Sequence, residues 1–86
     1  MNDDRLVQLL ADVRMEHRLA IAKFPPFNSA HEGLGVIWEE FEELKAEVFK
    51  KKGERSYPNM KNEATQLAAM ALRFILDVVE GGGSNA

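Results

Sequence analysis

The chain contains no cysteine. That excludes a disulfide framework, a thiolate metal site and a cysteine nucleophile. Uninterrupted apolar runs reach only a few residues, so no segment is expected to span a membrane. The acidic start, Met1-Asn2-Asp3-Asp4-Arg5, lacks the apolar stretch of a signal peptide, which points to a cytoplasmic protein. A net basic face is missing as well. Fourteen acidic residues outnumber eleven basic ones, for a formal charge of −3, which argues against a nucleic-acid partner. Internal repeats and alternating strand patterns are also absent. The only low-complexity segment is the Gly-rich stretch 81–86, which has nothing to bury and is expected to be disordered. Residues 1–80 then form a single domain. A domain near this size buries only roughly 60–65% of its unfolded surface, so a lone copy would be marginally stable.

What is present is unevenly spread charge. From His31 to Phe49 there are six glutamates against one lysine, Lys45. The next twelve residues hold Lys50, Lys51, Lys52, Arg55 and Lys61 against one acid, Glu54. Such polarity suits a site that sets carboxylates beside a basic rim.

Three helical segments are expected, giving an all-α, three-helix chain: a helical hairpin plus an N-terminal helix. The first runs from about Asp4 to Lys23. Leu6, Leu9, Leu10, Val13, Ala20, Ile21 and Phe24 recur at spacings of three and four, which marks one helix face. Asp3 and Asp4 suit its positive end, and Pro25-Pro26 stops it. The second opens with Ser29-Ala30-His31-Glu32, a capping box. Its seam is Leu34, Ile37, Phe41, Leu44 and Val48, with Trp38 and Phe49 on one side. Its end is expected near Lys52-Gly53, with the glycine as a left-handed cap. The third begins at Pro58 or just after Tyr57-Pro58-Asn59 and runs to about Glu80. Met60, Ala64, Leu67, Ala71, Phe74, Ile75 and Val78 form one apolar face. Ala69, Leu72 and Leu76 form a second, nearly opposite. A helix apolar on two sides is buried on two sides. In a three-helix chain the second cover is expected from another copy, so the chain should assemble into an oligomeric bundle, with a dimer the commonest closed form.

At about 100° per residue, Glu40, Glu43 and Glu47 align beside the seam of the second helix. Like charges three and four residues apart repel by a few tenths of a kcal/mol. A hard divalent cation would compensate them. Magnesium takes one or a few carboxylates and keeps waters for a phosphate substrate. On the third helix Glu63 and Gln66 repeat the three-residue spacing of Glu40 and Glu43, and Arg73 and Asp77 continue the polar strip. A short connection makes the two helices antiparallel neighbours, which brings the two pairs face to face. The simpler alternative is a solvated acidic surface.

These residues also resemble a family. Glu39-Glu40-Phe41-Glu42-Glu43 fits a Glu-Glu-x-x-Glu motif. After 19 intervening residues, Glu63-Ala64-Thr65-Gln66 comes close to Glu-x-x-Asp. This order resembles the all-α nucleoside triphosphate pyrophosphohydrolases, the MazG-like superfamily, and especially its short single-domain members. His31-Glu32-Gly33, Val36-Ile37-Trp38 and Gln66-Leu67-Ala68-Ala69-Met70-Ala71 add to the likeness, which covers roughly residues 31 to 77. The resemblance implies hydrolysis of a (deoxy)nucleoside triphosphate between the α- and β-phosphates, giving monophosphate and pyrophosphate. It implies magnesium, or manganese, at Glu40, Glu43, Glu63 and Gln66, and catalytic roles for Glu39 and Glu43. Family members work as dimers or tetramers. The departure is Gln66, where the family has aspartate. A neutral amide is a weaker magnesium ligand. A catalytically impaired metal- or nucleotide-binding module, or an oligomeric interaction module, of the same fold is therefore the alternative.

Among the cations, Lys61 lies two residues before Glu63 and is the first choice for gripping phosphate, with Lys52 and Arg55 beside it. The plainer alternative is a solvated helix end. His17, on the apolar face of the first helix, and His31, in the first turn of the second, are expected to be structural. They lack the spacing of a metal pair. Trp38 and Phe49 fit core or subunit packing better than base stacking. Phe24-Pro25-Pro26-Phe27 is a stiff corner whose phenylalanines are expected to cap the bundle.

Overall fold

The computed structural model describes residues 3–81. Residues 82–86 of the expected disordered tail, and the first two of the expected domain, lie outside the described residues. The fold is all-α, with no strand among the described residues. Helix α1 spans Asp3–Lys23, α2 spans Ala30–Val48 and α3 spans Tyr57–Phe74. A 3-10 turn, Lys52–Glu54, lies between α2 and α3, and a π-helical stretch, Ile75–Glu80, continues α3. No described helix is long and apolar enough to cross a membrane.

Local chemistry explains most boundaries. Asp3 and Asp4 occupy the first turn of α1, and the helix stops before Pro25-Pro26. The Ser29 hydroxyl accepts from the Glu32 backbone N–H at 3.1 Å. The Glu32 carboxylate reaches back, but to the Asn28 backbone N–H at 2.9 Å, one residue before the expected partner. Ser56 caps α3 in the same way, accepting from the Asn59 backbone N–H at 3.1 Å. Tyr57 and Pro58 therefore already lie in the first turn, slightly earlier than expected. The expected end of α2 near Gly53 is corrected. The helix stops at Val48, Phe49 closes it with φ −85°, and Gly53 falls inside the 3-10 turn.

The chain runs up, down and up. Gly33 meets Phe74 while Glu43 meets Glu63, so α2 and α3 are antiparallel. Asp12 meets Lys61 while Ala20 meets Arg73, so α1 and α3 are parallel. Helix α3 is thus the element that both others pack against. At Gly33 a Cβ would lie 2.6 Å from the Phe74 ring and 3.0 Å from the Phe27 ring. The bare backbone lets both rings close over the start of α2.

The core of the single chain is small. Phe27, Gly33, Ala69, Arg73 and Val78 are its buried residues among those described. Ala69 is fully buried between the helices, so it does not belong with Leu72 and Leu76 on an outward face. The expected seam of α2 is also rotated. Leu34, Trp38, Phe41, Val48 and Phe49 are exposed, Trp38 at 62% and Phe49 at 73%. Of the expected seam only Ile37 and Leu44 are partly covered, together with Val36, Glu40 and Glu47. Leu6, Leu10 and Ile21 on α1 and Phe24 just after it remain exposed, as do Leu72 on α3 and Ile75, Leu76 and Val79 in the π-helical stretch. Of the corner phenylalanines only Phe27 is buried. The radius of gyration is 14.3 Å. A compact chain of this length would have about 12 Å.

Candidate functional site

The α2–α3 interface carries carboxylates where a plain bundle would carry leucines. Glu40 is half-buried and faces α3. Burial first, then the charges of Glu43, Glu63 and Glu39 and a hydrogen bond with Glu43, raise its pKa to about 6. Glu63 projects from α3 into the same group. Its pKa is also raised, by burial, by a hydrogen bond with Glu43 and by the charges of Glu43 and Glu47. Glu40, Glu43 and Glu63 are therefore brought together from two helices. One oxygen is left over: Glu40 Oε2 is buried without a hydrogen-bond partner. Buried carboxylate oxygens are normally paired, and an orphan at this position suits a cation or a bound donor.

The fit to a metal is partial. Among the described residues, no group of three or more His, Asp or Glu side chains is arranged to hold one ion. Magnesium needs less, because one or two carboxylates with waters and substrate phosphates suffice. Glu40 with Glu43 or Glu63 meets that lower requirement.

Above the cluster, a cavity of about 640 Å³ opens between the three helices. Glu39, Glu40 and Gln66 line it, together with Phe24, Phe27 and Met70. Glu40 is shared between cavity and cluster, so the two are contiguous. Gln66 stands on the cavity wall with Glu40, so the two three-residue pairs do face each other across α2 and α3.

The cations are distributed differently from the sequence expectation. Lys61 is drawn to α1, where its Nζ lies 3.1 Å from Asp12 Oδ2. It is not brought to the carboxylate cluster. Arg55 folds back to the Lys50 carbonyl at 3.3 Å, and Lys52 is exposed on the 3-10 turn. Lys50 is the cation that reaches the stripe, donating to both oxygens of Glu47 at 3.1 Å. Its place three residues after Glu47 was a usable signal.

Arg73 and Asp77 lie outside the carboxylate cluster. Arg73 is only 2% exposed. It donates to Asp77 Oδ2 at 3.0 Å, to the Phe24 carbonyl at 2.8 Å and to the Pro25 carbonyl at 2.6 Å. It also stacks over the Phe27 ring at 5.1 Å. Asp77 in turn accepts from the Phe27 backbone N–H at 3.1 Å. Carbonyls at the end of α1, orphaned by the two prolines, thus find a guanidinium. His17 is half-buried and His31 exposed.

No family model, curated protein or solved structure matches this chain.

Proposed function

We propose that the chain is a magnesium-dependent nucleoside triphosphate pyrophosphohydrolase of the all-α, MazG-like type, acting as a cytoplasmic homo-oligomer. The observation that carries this is the meeting of Glu40 and Glu43 from α2 with Glu63 from α3, with one Glu40 oxygen buried and unpartnered. Two motifs far apart in sequence thereby share one site.

Glu40, with Glu43 or Glu63, would hold the ion alongside waters and substrate phosphates, with manganese as the alternative. When bound, it neutralises phosphate charge and lowers the pKa of the attacking water. Glu39 is exposed next to Glu40 and orients that water, accepting its proton. Glu43, beside both Glu40 and Glu63, stands at the centre of the cluster. The water oxygen joins the α-phosphorus, the bond toward the β-phosphate breaks, and pyrophosphate leaves. Lys50, with Lys52 and Arg55 on the same connection, supplies positive charge at the Glu47 end. Lys61, paired with Asp12 on α1, stands apart from this charge.

The second copy would cover the exposed apolar faces. Leu34, Trp38 and Phe41 on α2 and Leu72, Leu76 and Val79 at the end of α3 are too many for a solitary surface.

Pyrophosphate release across natural and modified triphosphates with magnesium tests the proposal. Release from at least one of them is expected. Magnesium binding without release from any would favour the second reading, a non-catalytic binding module. That reading draws on the absence of a three-ligand group among the described residues and on Gln66.

A further inference from the structure

Gln66 stands where the resemblance would put a metal ligand, yet its surroundings are those of a binding pocket. It is half-buried on the wall of the interhelical cavity, and no hydrogen bond among the described residues engages its amide. A cavity of about 640 Å³ is within the range for small-molecule sites. Phe24, Phe27, Val36 and Met70 give it flat, apolar and polarisable walls. A planar heteroaromatic ring suits such walls.

The charge lining the cavity narrows the ligand further. Glu16, Glu39 and Glu40 face Lys23, while Glu32, also on the wall, is engaged by Asn28; among the described residues Lys23 and Arg73 are the lining cations. Arg73 is committed to Asp77 and the corner carbonyls. Phosphates are therefore unwelcome inside, and groups that donate hydrogen bonds are favoured, because carboxylates only accept. Glu40 joins the cavity to the carboxylate cluster. A nucleotide can then seat its base in the cavity and turn its phosphates toward Glu43 and Glu63, where the proposed magnesium would offset the repulsion.

We infer that the cavity is a base site, that Gln66 contacts the base instead of a metal ion, and that the acidic lining favours bases bearing an exocyclic amine. This rests on the hydrolase reading for the nucleotide itself. An amide offers one acceptor and two donors, so Gln66 can bond a base edge in a bidentate manner. The nearby carboxylates accept from an amine and repel a carbonyl at the same position.

Calorimetric titration of the full chain, in saturating magnesium, with nucleoside monophosphates tests this without requiring turnover. Adenosine and cytidine monophosphates should bind roughly tenfold tighter than inosine and uridine monophosphates. Gln66→Met should weaken binding of all four by about tenfold and leave the magnesium-induced melting shift intact. Gln66→Ala serves as a second variant if the methionine form does not fold. Glu16→Gln should reduce the preference for amines. Equal affinity for amine and carbonyl bases, or no binding of any monophosphate, overturns the inference. Loss of the magnesium shift in the Gln66 variants overturns it too, since Gln66 would then be a metal ligand. An amine preference with Gln66 dependence, but no pyrophosphate release from any triphosphate, leaves this inference standing while the hydrolase proposal falls.

Discussion

Arg73 and Asp77 pair one helical turn apart on the last part of the third helix, Nε to Oδ2 at 3.0 Å. Between them they hold the corner joining the first two helices. Arg73 takes the corner carbonyls and Asp77 takes the Phe27 N–H. Asp77→Ala would leave a buried guanidinium without its counter-charge. The expected cost is about 3 kcal/mol, read as a lower midpoint in urea unfolding. A change under half that size would mean the carbonyls alone satisfy Arg73.

Two glycines in the same helix should respond oppositely to alanine. At Gly33 the new methyl meets Phe74 and Phe27, so Gly33→Ala should destabilise by about 1–3 kcal/mol. Gly35 has nothing within 4 Å, so Gly35→Ala should stabilise by about 0.5–1 kcal/mol. Thermal melting of the two variants side by side checks the sign of each.

The burial at stake in self-association is visible in single residues. Trp38 is 62% exposed and Val79 is 64% exposed. Sedimentation equilibrium should give a mass that is a whole multiple of 9.7 kDa, two or four. Trp38→Glu or Leu72→Glu should shift it toward the monomer and lower stability. A monomeric wild-type chain would remove the second copy from the proposal.

The pH dependence follows from Glu40. Its folded pKa, about 6, lies above the ordinary 4.5. Below about pH 4.5 the group is protonated in both states and contributes nothing. Between 4.5 and 6 the unfolded chain ionises first, so folding loses stability as pH rises. Above 6 the loss is constant. Discounted for solvent screening, it is about 1 kcal/mol. Glu40→Gln should therefore match wild type near pH 4 and exceed its stability by about that amount at pH 7. Saturating magnesium should reduce or reverse the difference. Urea titrations at pH 4, 5, 6 and 7 give the curve, and a difference independent of pH would contradict it.

Much of this fold is written in short-range chemistry. Pro25-Pro26 and Ser29-x-x-Glu32 mark the end of one helix and the start of the next, and the structure obeys both. Ser56 ahead of Pro58 was an equally clear start signal for the third helix. The end of the second helix was less legible, because Gly53 advertises a stop that Phe49 already provides. Tertiary relations were harder. The second helix has two adjacent apolar stripes, and periodicity does not say which one meets a neighbour. The structure turns Ile37 and Leu44 inward with Glu40 and leaves Leu34, Trp38 and Phe41 outside. The role of Arg73 had no local signal, since its partners are main-chain carbonyls 48 and 49 residues away. Within the site, helical spacing sufficed to align Glu40 with Glu43, and the short connection to the third helix to set Glu63 opposite them. It could not reveal that Lys61 points at the first helix, because that depends on Asp12.

The measurement that bears most directly on the central claim is the melting temperature with and without magnesium, for wild type and for Glu43→Gln and Glu63→Gln. At magnesium ten times its dissociation constant, the stabilisation is about 1.4 kcal/mol, or roughly 5–10 °C for a domain of this size. Wild type should show that shift, and both variants should lose most of it. An equal shift in all three, or none in wild type, would contradict a cation site between the second and third helices.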